Sequence, residues 1–208
     1  MSLFTIALFL LLSPPEAFTR FSFCRENARG IFETQCVHLD PTGAGEVRFK
    51  RRGADEVQVA LTLSQPGRDR FIEVLTGTNF LADGKNYESK RKVADLGRKH
   101  LILETPSGRR EAEFNFSELK EVSALSSFFE GIINQETMTF DLNNAIQYDR
   151  LSVPKRLDDL ERELKANRIG DPRGLIPVLD KIDQDSRLVN YARSHARRLK
   201  EQIAAEKR

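Results

Sequence analysis

Residues 47–63 read VRFKRRGADEVQVALTL, and apolar side chains alternate with polar ones on both sides of the turn residues Gly53 and Asp55. The apolar members of this alternation are Val47, Phe49, Val57, Val59, Leu61 and Leu63. A strand with one buried face requires this period of two, because successive side chains point to opposite faces of a sheet. The segment therefore predicts two strands separated by a turn.

The same period of two extends over residues 21–116. The segments Leu101-Ile102-Leu103 and Phe114-Asn115-Phe116 flank Pro106-Ser107-Gly108, a spacing that predicts a β-hairpin. A further strand is expected at 93–96, and a short helix at 68–76. We therefore expect an antiparallel sheet of about five to seven strands, which is a common size for such sheets.

The period changes after Ser117, which we predict to be the N-cap of a helix that ends near Asn134. The apolar residues here recur at steps of three and four, as on the buried stripe of an amphipathic helix: Val122, Leu125, Phe128, Phe129, Ile132 and Ile133. A second short element is expected at 137–148. These elements have the right shape to cover one face of the sheet.

The remaining residues are predicted to be helical throughout. One helix is expected to end at Ile169-Gly170. The next is expected to begin with Asp171 as its N-cap and Pro172 as its first residue. A last helix is expected to run from about Ser186 to Ala205. The predicted fold class is α+β: an antiparallel sheet covered by helices, followed by a C-terminal helical hairpin or bundle. We place the α+β domain at 18–150 and the helical C-terminal unit at 151–208.

The composition excludes several classes of protein. The chain has 208 residues, is 39% hydrophobic and carries a net charge of only +2, whereas disordered chains have few large apolar residues and a large net charge. Two cysteines are too few for a disulfide scaffold or a four-cysteine zinc site. All fourteen Phe lie at or before Phe140, so the aromatic core is expected in the sheet region.

The N-terminus carries an uncharged apolar run at residues 3–12, followed by Pro14 and Pro15. About 20 residues are needed to cross a bilayer, so no transmembrane span is predicted here. The run is typical of a secretory signal, and we interpret 1–17 as a signal peptide of an exported protein, periplasmic or secreted. No Lys or Arg precedes the run, so a cytoplasmic protein is the alternative.

Cys24 and Cys36 are candidates for a disulfide if the protein is exported. Each lies in a strand-like run, and a bridge between neighbouring strands is one of two alternatives. The other is two separate thiols, because a hairpin centred near Ala28 would place Cys24 opposite about residue 32. The Cys-x-x-Cys spacing of redox and metal sites is missing, so neither role is predicted.

No catalytic constellation is visible in the sequence. His38, His100 and His195 are far apart, and there is no His-Glu-x-x-His pattern, phosphate-binding glycine loop or nucleophile elbow. We therefore predict no catalytic residue, no cofactor and no metal ligand, and expect His195 to be packed or half-exposed on the inward side of the last helix rather than a ligand. A hydrolase assembled from dispersed His, Asp and Ser residues is the alternative, which a deep pocket holding His38 or His100 beside a carboxylate would favour.

Basic residues cluster at 48–52, at 90–92 and on the outer side of the last helix, where they are Arg193, Arg197, Arg198 and Lys200. Residues 151–208 contain 14 basic and 10 acidic side chains, a net charge of +4. These clusters are a candidate contact surface for an anionic partner, or else a solvated face. No specific nucleic acid is predicted as a partner, because these clusters lack the aromatic residues that alternate with basic residues in proteins that bind single strands.

Residues 175–203 resemble a single HEAT-type repeat unit. The resemblance is carried by Pro177 inside the first helix, Asp183 near the turn, and Ala192 and Ala196 where the two helices would meet. It implies protein–protein contact through the C-terminal helices; the alternative is an ordinary helical hairpin docked on the sheet. The function predicted from the sequence is that of a non-catalytic, exported binding or accessory protein, and the sequence predicts no oligomeric state.

Overall fold

The computed structural model describes residues 18–27, 30–78, 87–91, 93–95 and 97–205, so the predicted signal peptide at 1–17 lies outside the described residues. The strands are β1 (Arg20–Glu26), β2 (Phe32–Leu39), β3 (Ala44–Arg51), β4 (Glu56–Thr62), β5 (Arg98–Thr105) and β6 (Gly108–Phe114). The helices are α1 (Gln65–Thr76), α2 (Lys120–Tyr148), α3 (Val153–Lys165), α4 (Ile176–Gln184) and α5 (Asn190–Ala205), with short 3₁₀ turns at Arg150–Ser152 and Pro172–Leu175.

The six strands form one antiparallel sheet in the order β4-β3-β2-β1-β5-β6. The α+β class, the strand number and the β5–β6 hairpin predicted from the sequence are confirmed. The strand predicted at 93–96 is wrong for its described residues 93–95, which are exposed and lie outside the sheet. The Ala94 carbonyl accepts a hydrogen bond from the Asn115 side chain, at 3.0 Å, instead of joining a strand ladder.

One face of the sheet is apolar and is covered by α1 and α2. Phe129 of α2 stacks on Phe23 of β1, with ring centroids 5.4 Å apart, and also contacts Phe21 and Phe71. Alternate residues of β1, β2, β3 and β5, together with Leu61 of β4 and Phe114 of β6, also belong to this first apolar cluster. The aromatic core therefore lies in the sheet region, as the distribution of Phe predicts.

Helix α2 is a single helix of 29 residues, so the predicted end near Asn134 and the separate element at 137–148 are both wrong. Asn134 does not compete for the helix backbone, because its side chain donates to Glu163 and to the Arg168 carbonyl. The predicted N-cap is also wrong: the N-cap residue is Leu119, which has no capping side chain.

The second half of α2 belongs to a second apolar cluster, which it shares with α3, α4 and α5. The first cluster includes α2 residues as far as Ile133, and the second begins at Leu142. One helix therefore contributes to both cores.

The C-terminal helices are present as predicted, but two of their bounds differ. Helix α3 ends at Lys165 rather than at Ile169-Gly170, because Asn167 has the left-handed conformation that ends helices (φ 54°). Helix α5 begins at Asn190 rather than near Ser186, since Asp185 holds a turn by accepting from the Arg187 and Leu188 backbone N–H groups. Among the described residues, no helix has the length and apolar character needed to cross a bilayer.

Candidate functional site

The outer face of the sheet, opposite the helices, carries both cysteines. Cys24 of β1 lies directly opposite Cys36 of β2, and the two are joined in a disulfide. The predicted register, with Cys24 opposite about residue 32, is wrong. The Asn27 backbone N–H donates to the Glu33 carbonyl, at 3.1 Å, and Asn27 also accepts from the Gly30 N–H, so the connection is longer than a hairpin centred near Ala28.

His38 lies on the same outer face, two residues beyond Cys36 on β2. One ring nitrogen of His38 and the two sulfurs lie within 4.8 Å of one another. The Ser22 hydroxyl lies 2.8 Å from His38 Nδ1 and fixes the ring orientation. Burial, followed by the charge of Arg20, lowers the pKa of His38 from its ordinary value of 6.5, so the ring is neutral at pH 7.

This Ser–His contact is not assembled like a hydrolase site. The nearest acidic residue across the strands, Glu46, is held by the guanidinium groups of Arg48 at 2.6 Å and Arg20 at 3.6 Å. A catalytic histidine is normally oriented by a carboxylate on its second nitrogen. Two cavities among the described residues are of substantial volume, and neither is lined by His38 or His100.

Both cavities lie where the sheet region meets the C-terminal helices. The first, of about 690 Å³, lies between α1, α2 and the loop that follows α3. Its apolar wall includes Phe128, Leu164 and Ile203, and Asp171 contributes to its lining. Asp171 is the N-cap residue of the 3₁₀ turn that begins at Pro172, as predicted, but its side chain does not cap that turn, because the carboxylate accepts two hydrogen bonds from Ser64 instead.

The basic clusters at 48–52 and on α5 are largely paired with acidic groups of the chain. In the cluster at 90–92, Arg91 lies 3.6 Å from Glu118, and residue 92 lies outside the described residues. Arg197 donates to Asp183 at 2.7 Å, Lys200 to Asp180 at 2.6 Å, and Arg193 to the Asp183 carbonyl. The hydrogen bond from Arg197 lowers the pKa of Asp183. Arg198 is exposed and has no such partner among the described residues. In the cluster at 48–52, the ion-pair partners are Glu46 for Arg48, Glu33 for Lys50 and Asp141 for Arg51.

His195 is buried, as its inward position predicts. Its side chain is 2% exposed, and Nε2 lies 2.9 Å from the Glu161 carboxylate of α3. Tyr191, one turn earlier on α5, reaches Asp158 of α3. Ile203, near the end of α5, and Leu164, near the end of α3, line the same cavity. The two helices therefore run parallel, and their N-termini lie at the same end of the helical unit.

That end carries exposed apolar side chains. We call Tyr148, Leu151, Val189 and Tyr191 the helix-end patch; their exposed fractions are 77%, 86%, 50% and 57%. They make up four of the seven exposed large hydrophobic residues in the described part of the chain. The sequence analysis did not predict this patch. Apolar residues that fall outside the buried stripe of a helix, such as Tyr148 and Leu151, could have indicated it.

In comparisons with known proteins, no protein-family model matches this chain, and no curated protein matches it. The resemblance of residues 175–203 to a HEAT-type unit therefore stays a prediction.

Proposed function

We propose that this protein is a non-catalytic binding protein that contacts another protein through the helix-end patch. The observation that carries the proposal is that four of the seven exposed large hydrophobic residues in the described part of the chain lie in the segments where α2 ends and where α3 and α5 begin. Soluble proteins seldom leave such residues grouped in water unless a partner covers them. Two of the four are tyrosines, a residue type enriched in protein interfaces.

The size of the patch favours a transient contact. A fully exposed large side chain offers at most about 250 Å². At their exposed fractions, the four residues offer less than the roughly 800 Å² per partner that stable interfaces bury. A small apolar centre with a polar rim suits a partner that binds and dissociates, rather than an obligate second copy of this chain. Arg150 and Asp149 supply such a rim.

Export is part of the proposal. The disulfide between Cys24 and Cys36 supports it, because disulfides persist in secreted and periplasmic proteins and are rare in the cytosol. The uncharged run at residues 3–12 supports the same compartment.

Point substitutions test the patch better than a deletion of the C-terminal helices. Removing 152–208 would expose Leu142, Ala145 and Ile146 of α2, which are buried in the second apolar cluster. Leu151→Asp instead changes a side chain that is 86% exposed and leaves both cores intact. Ile31→Asp is the matched control, because Ile31 is 75% exposed but precedes β2, outside the patch.

The experiment is capture from an envelope extract with the full chain and both variants, followed by titration of the purified partner against each. We expect the wild type and Ile31→Asp to bind that partner equally, and Leu151→Asp to bind it at least about tenfold more weakly. Equal binding by Leu151→Asp would contradict the proposal. So would sedimentation data in which the wild type is a dimer and Leu151→Asp a monomer, because the patch would then be covered by a second copy.

A further inference from the structure

We propose that reduction of the Cys24–Cys36 disulfide creates a zinc site, in which the two cysteine sulfurs and a ring nitrogen of His38 are the ligands. The inference is independent of the contact through the helix-end patch, and it concerns the protein in its reduced state. It rests on side chains that the sheet register brings together on the outer face, although the linear spacing of the cysteines does not suggest a metal site.

The geometry suits a tetrahedral ion. Zinc binds sulfur at about 2.3 Å and imidazole nitrogen at about 2.0–2.1 Å, so its ligand atoms must lie within roughly 4 Å of one another. The two sulfurs and the ring nitrogen already lie within 4.8 Å of one another, and opening the disulfide allows small rotamer changes about the cysteine side chains. Three protein ligands leave the fourth position for water.

The sheet holds these ligands in place without the disulfide. Strand β1 pairs with β2 and β5, and β2 pairs with β1 and β3, so neither cysteine lies on an edge strand. Ser22 fixes His38 from the neighbouring strand through the contact at Nδ1. With Nδ1 held by Ser22, Nε2 is the nitrogen that binds the ion, and a partner on the other ring nitrogen orients metal-binding histidines in this way.

The charges are also favourable. Two thiolates and a neutral imidazole balance the two positive charges of zinc, so the loaded site is neutral. The strand register places the cationic side chain of Arg48 opposite Cys36, and its charge is shared with the Glu46 carboxylate at 2.6 Å. A neighbouring guanidinium also stabilises a thiolate before the metal arrives.

The oxidation state controls the site. A dithiol reductant gives two electrons and two protons to the disulfide and becomes a disulfide itself, leaving two cysteine thiols. Zinc binding then releases those two protons to solvent as the thiolates coordinate the ion. In the oxidised protein both sulfurs are bonded to each other and supply no thiolate, so only the reduced protein binds zinc.

The test uses the full chain, oxidised or reduced with a water-soluble phosphine, which takes up the oxygen of water and becomes a phosphine oxide. Cobalt(II) is the spectroscopic probe, and zinc displaces it. We expect the reduced wild type to bind one cobalt ion with the visible absorption of tetrahedral thiolate coordination, and the oxidised protein to show none. Far-UV circular dichroism reports whether the sheet persists after reduction.

Two histidine variants locate the third ligand. His38→Ala keeps both thiols and should bind zinc at least about tenfold more weakly. His100→Ala is the matched control: His100 is on the same face, opposite Cys24 on β5, but outside the three-residue cluster, and its variant should bind like the wild type. Three results would overturn the proposal: equal binding by His38→Ala, an equal loss in His100→Ala, or a reduced wild type that binds no metal, whether or not its sheet persists.

Discussion

The carboxylate of Asp171 accepts hydrogen bonds from both the backbone N–H and the hydroxyl of Ser64, at 2.6 and 2.5 Å. Ser64 is the N-cap of α1, and its oxygen accepts in turn from the Gly67 N–H. Asp171 is 2% exposed and lies in the loop between α3 and α4. This pair therefore connects the helix that covers the sheet with the C-terminal unit.

We predict that Asp171→Ala lowers the free energy of unfolding by about 3 kcal/mol. The substitution removes two hydrogen bonds to a charged acceptor and leaves the Ser64 N–H without its buried partner. Urea unfolding followed by circular dichroism measures the change. Asp69→Ala, at an exposed position of α1, is the control and should change stability by less than about 0.5 kcal/mol. A comparable loss in both variants would contradict the special role of Asp171.

The same residue shows where sequence reasoning reaches its limit. Asp followed by Pro172 is a local signal for a helix start, and a 3₁₀ turn does begin at Pro172. The Asp171 side chain nevertheless binds Ser64, which is 107 residues away along the chain. Local patterns such as the alternation at 57–63 predict elements, because each depends on one face of one strand. Contacts between elements depend on how those elements pack.

The cysteine and histidine site shows the limit for strand register. The alternation predicts that Cys36 and His38 share a face of β2, and that prediction needs no partner strand. Which residue lies opposite Cys24 depends on the length of the connection after Asn27, since one residue more or less changes every pair. The hydrogen bonds of Asn27 set that length. The sequence therefore predicts the face, and the structure supplies the pairing.

A close backbone approach leads to the second prediction, that Gly131→Ala is destabilising by about 1–3 kcal/mol. In most helix interiors, replacing Gly with Ala stabilises by roughly 0.5–1 kcal/mol. Here a Cβ at Gly131 of α2 would lie 2.8 Å from the Gly170 nitrogen and 3.0 Å from its Cα, so the loop after α3 must move. Thermal unfolding should show a lower Tm. Gly77→Ala, where the nearest atom is 3.3 Å away, is the control, and a stabilised Gly131→Ala would refute the close contact.

The third prediction concerns the disulfide as a covalent link. Replacing Cys24 and Cys36 together with Ala should lower the free energy of unfolding by about 3 kcal/mol, since the bridge restricts the unfolded chain over a sequence separation of 12 residues. The circular dichroism spectrum of the double variant should keep its sheet signal, because β1 and β2 each have two partners. Guanidinium unfolding of the variant and the oxidised wild type measures the difference. Equal midpoints would show that the bridge adds no stability.

The fourth prediction is a pH dependence from Glu136, which is buried in α2. Burial is the largest cause that raises the pKa of Glu136 above its ordinary value of 4.5; the negative charge of Asp171 raises it further, and the hydrogen bond from Gln135 opposes both. At pH values between the pKa of Glu136 in the unfolded chain and its higher pKa in the folded protein, the native protein binds more protons than the unfolded chain. Stability is therefore greatest below about pH 4.5 with respect to this group, and is lost as the pH rises through the folded pKa.

Glu136→Gln removes the titrating carboxyl while an amide oxygen can still accept from Gln135, as the Glu136 carboxylate does at 3.0 Å. We expect the variant to lose this fall in stability and to be more stable than the wild type at pH 8. Urea unfolding at intervals from pH 4 to pH 8 measures both effects. Glu201→Gln, on the exposed side of α5, is the matched control and should follow the wild-type profile. If the stability of Glu136→Gln follows the wild-type pH profile as well, the prediction is wrong. The Glu136 carboxylate would then ionise without a cost in stability, and its burial beside Gln135 and Asp171 would not oppose its charge.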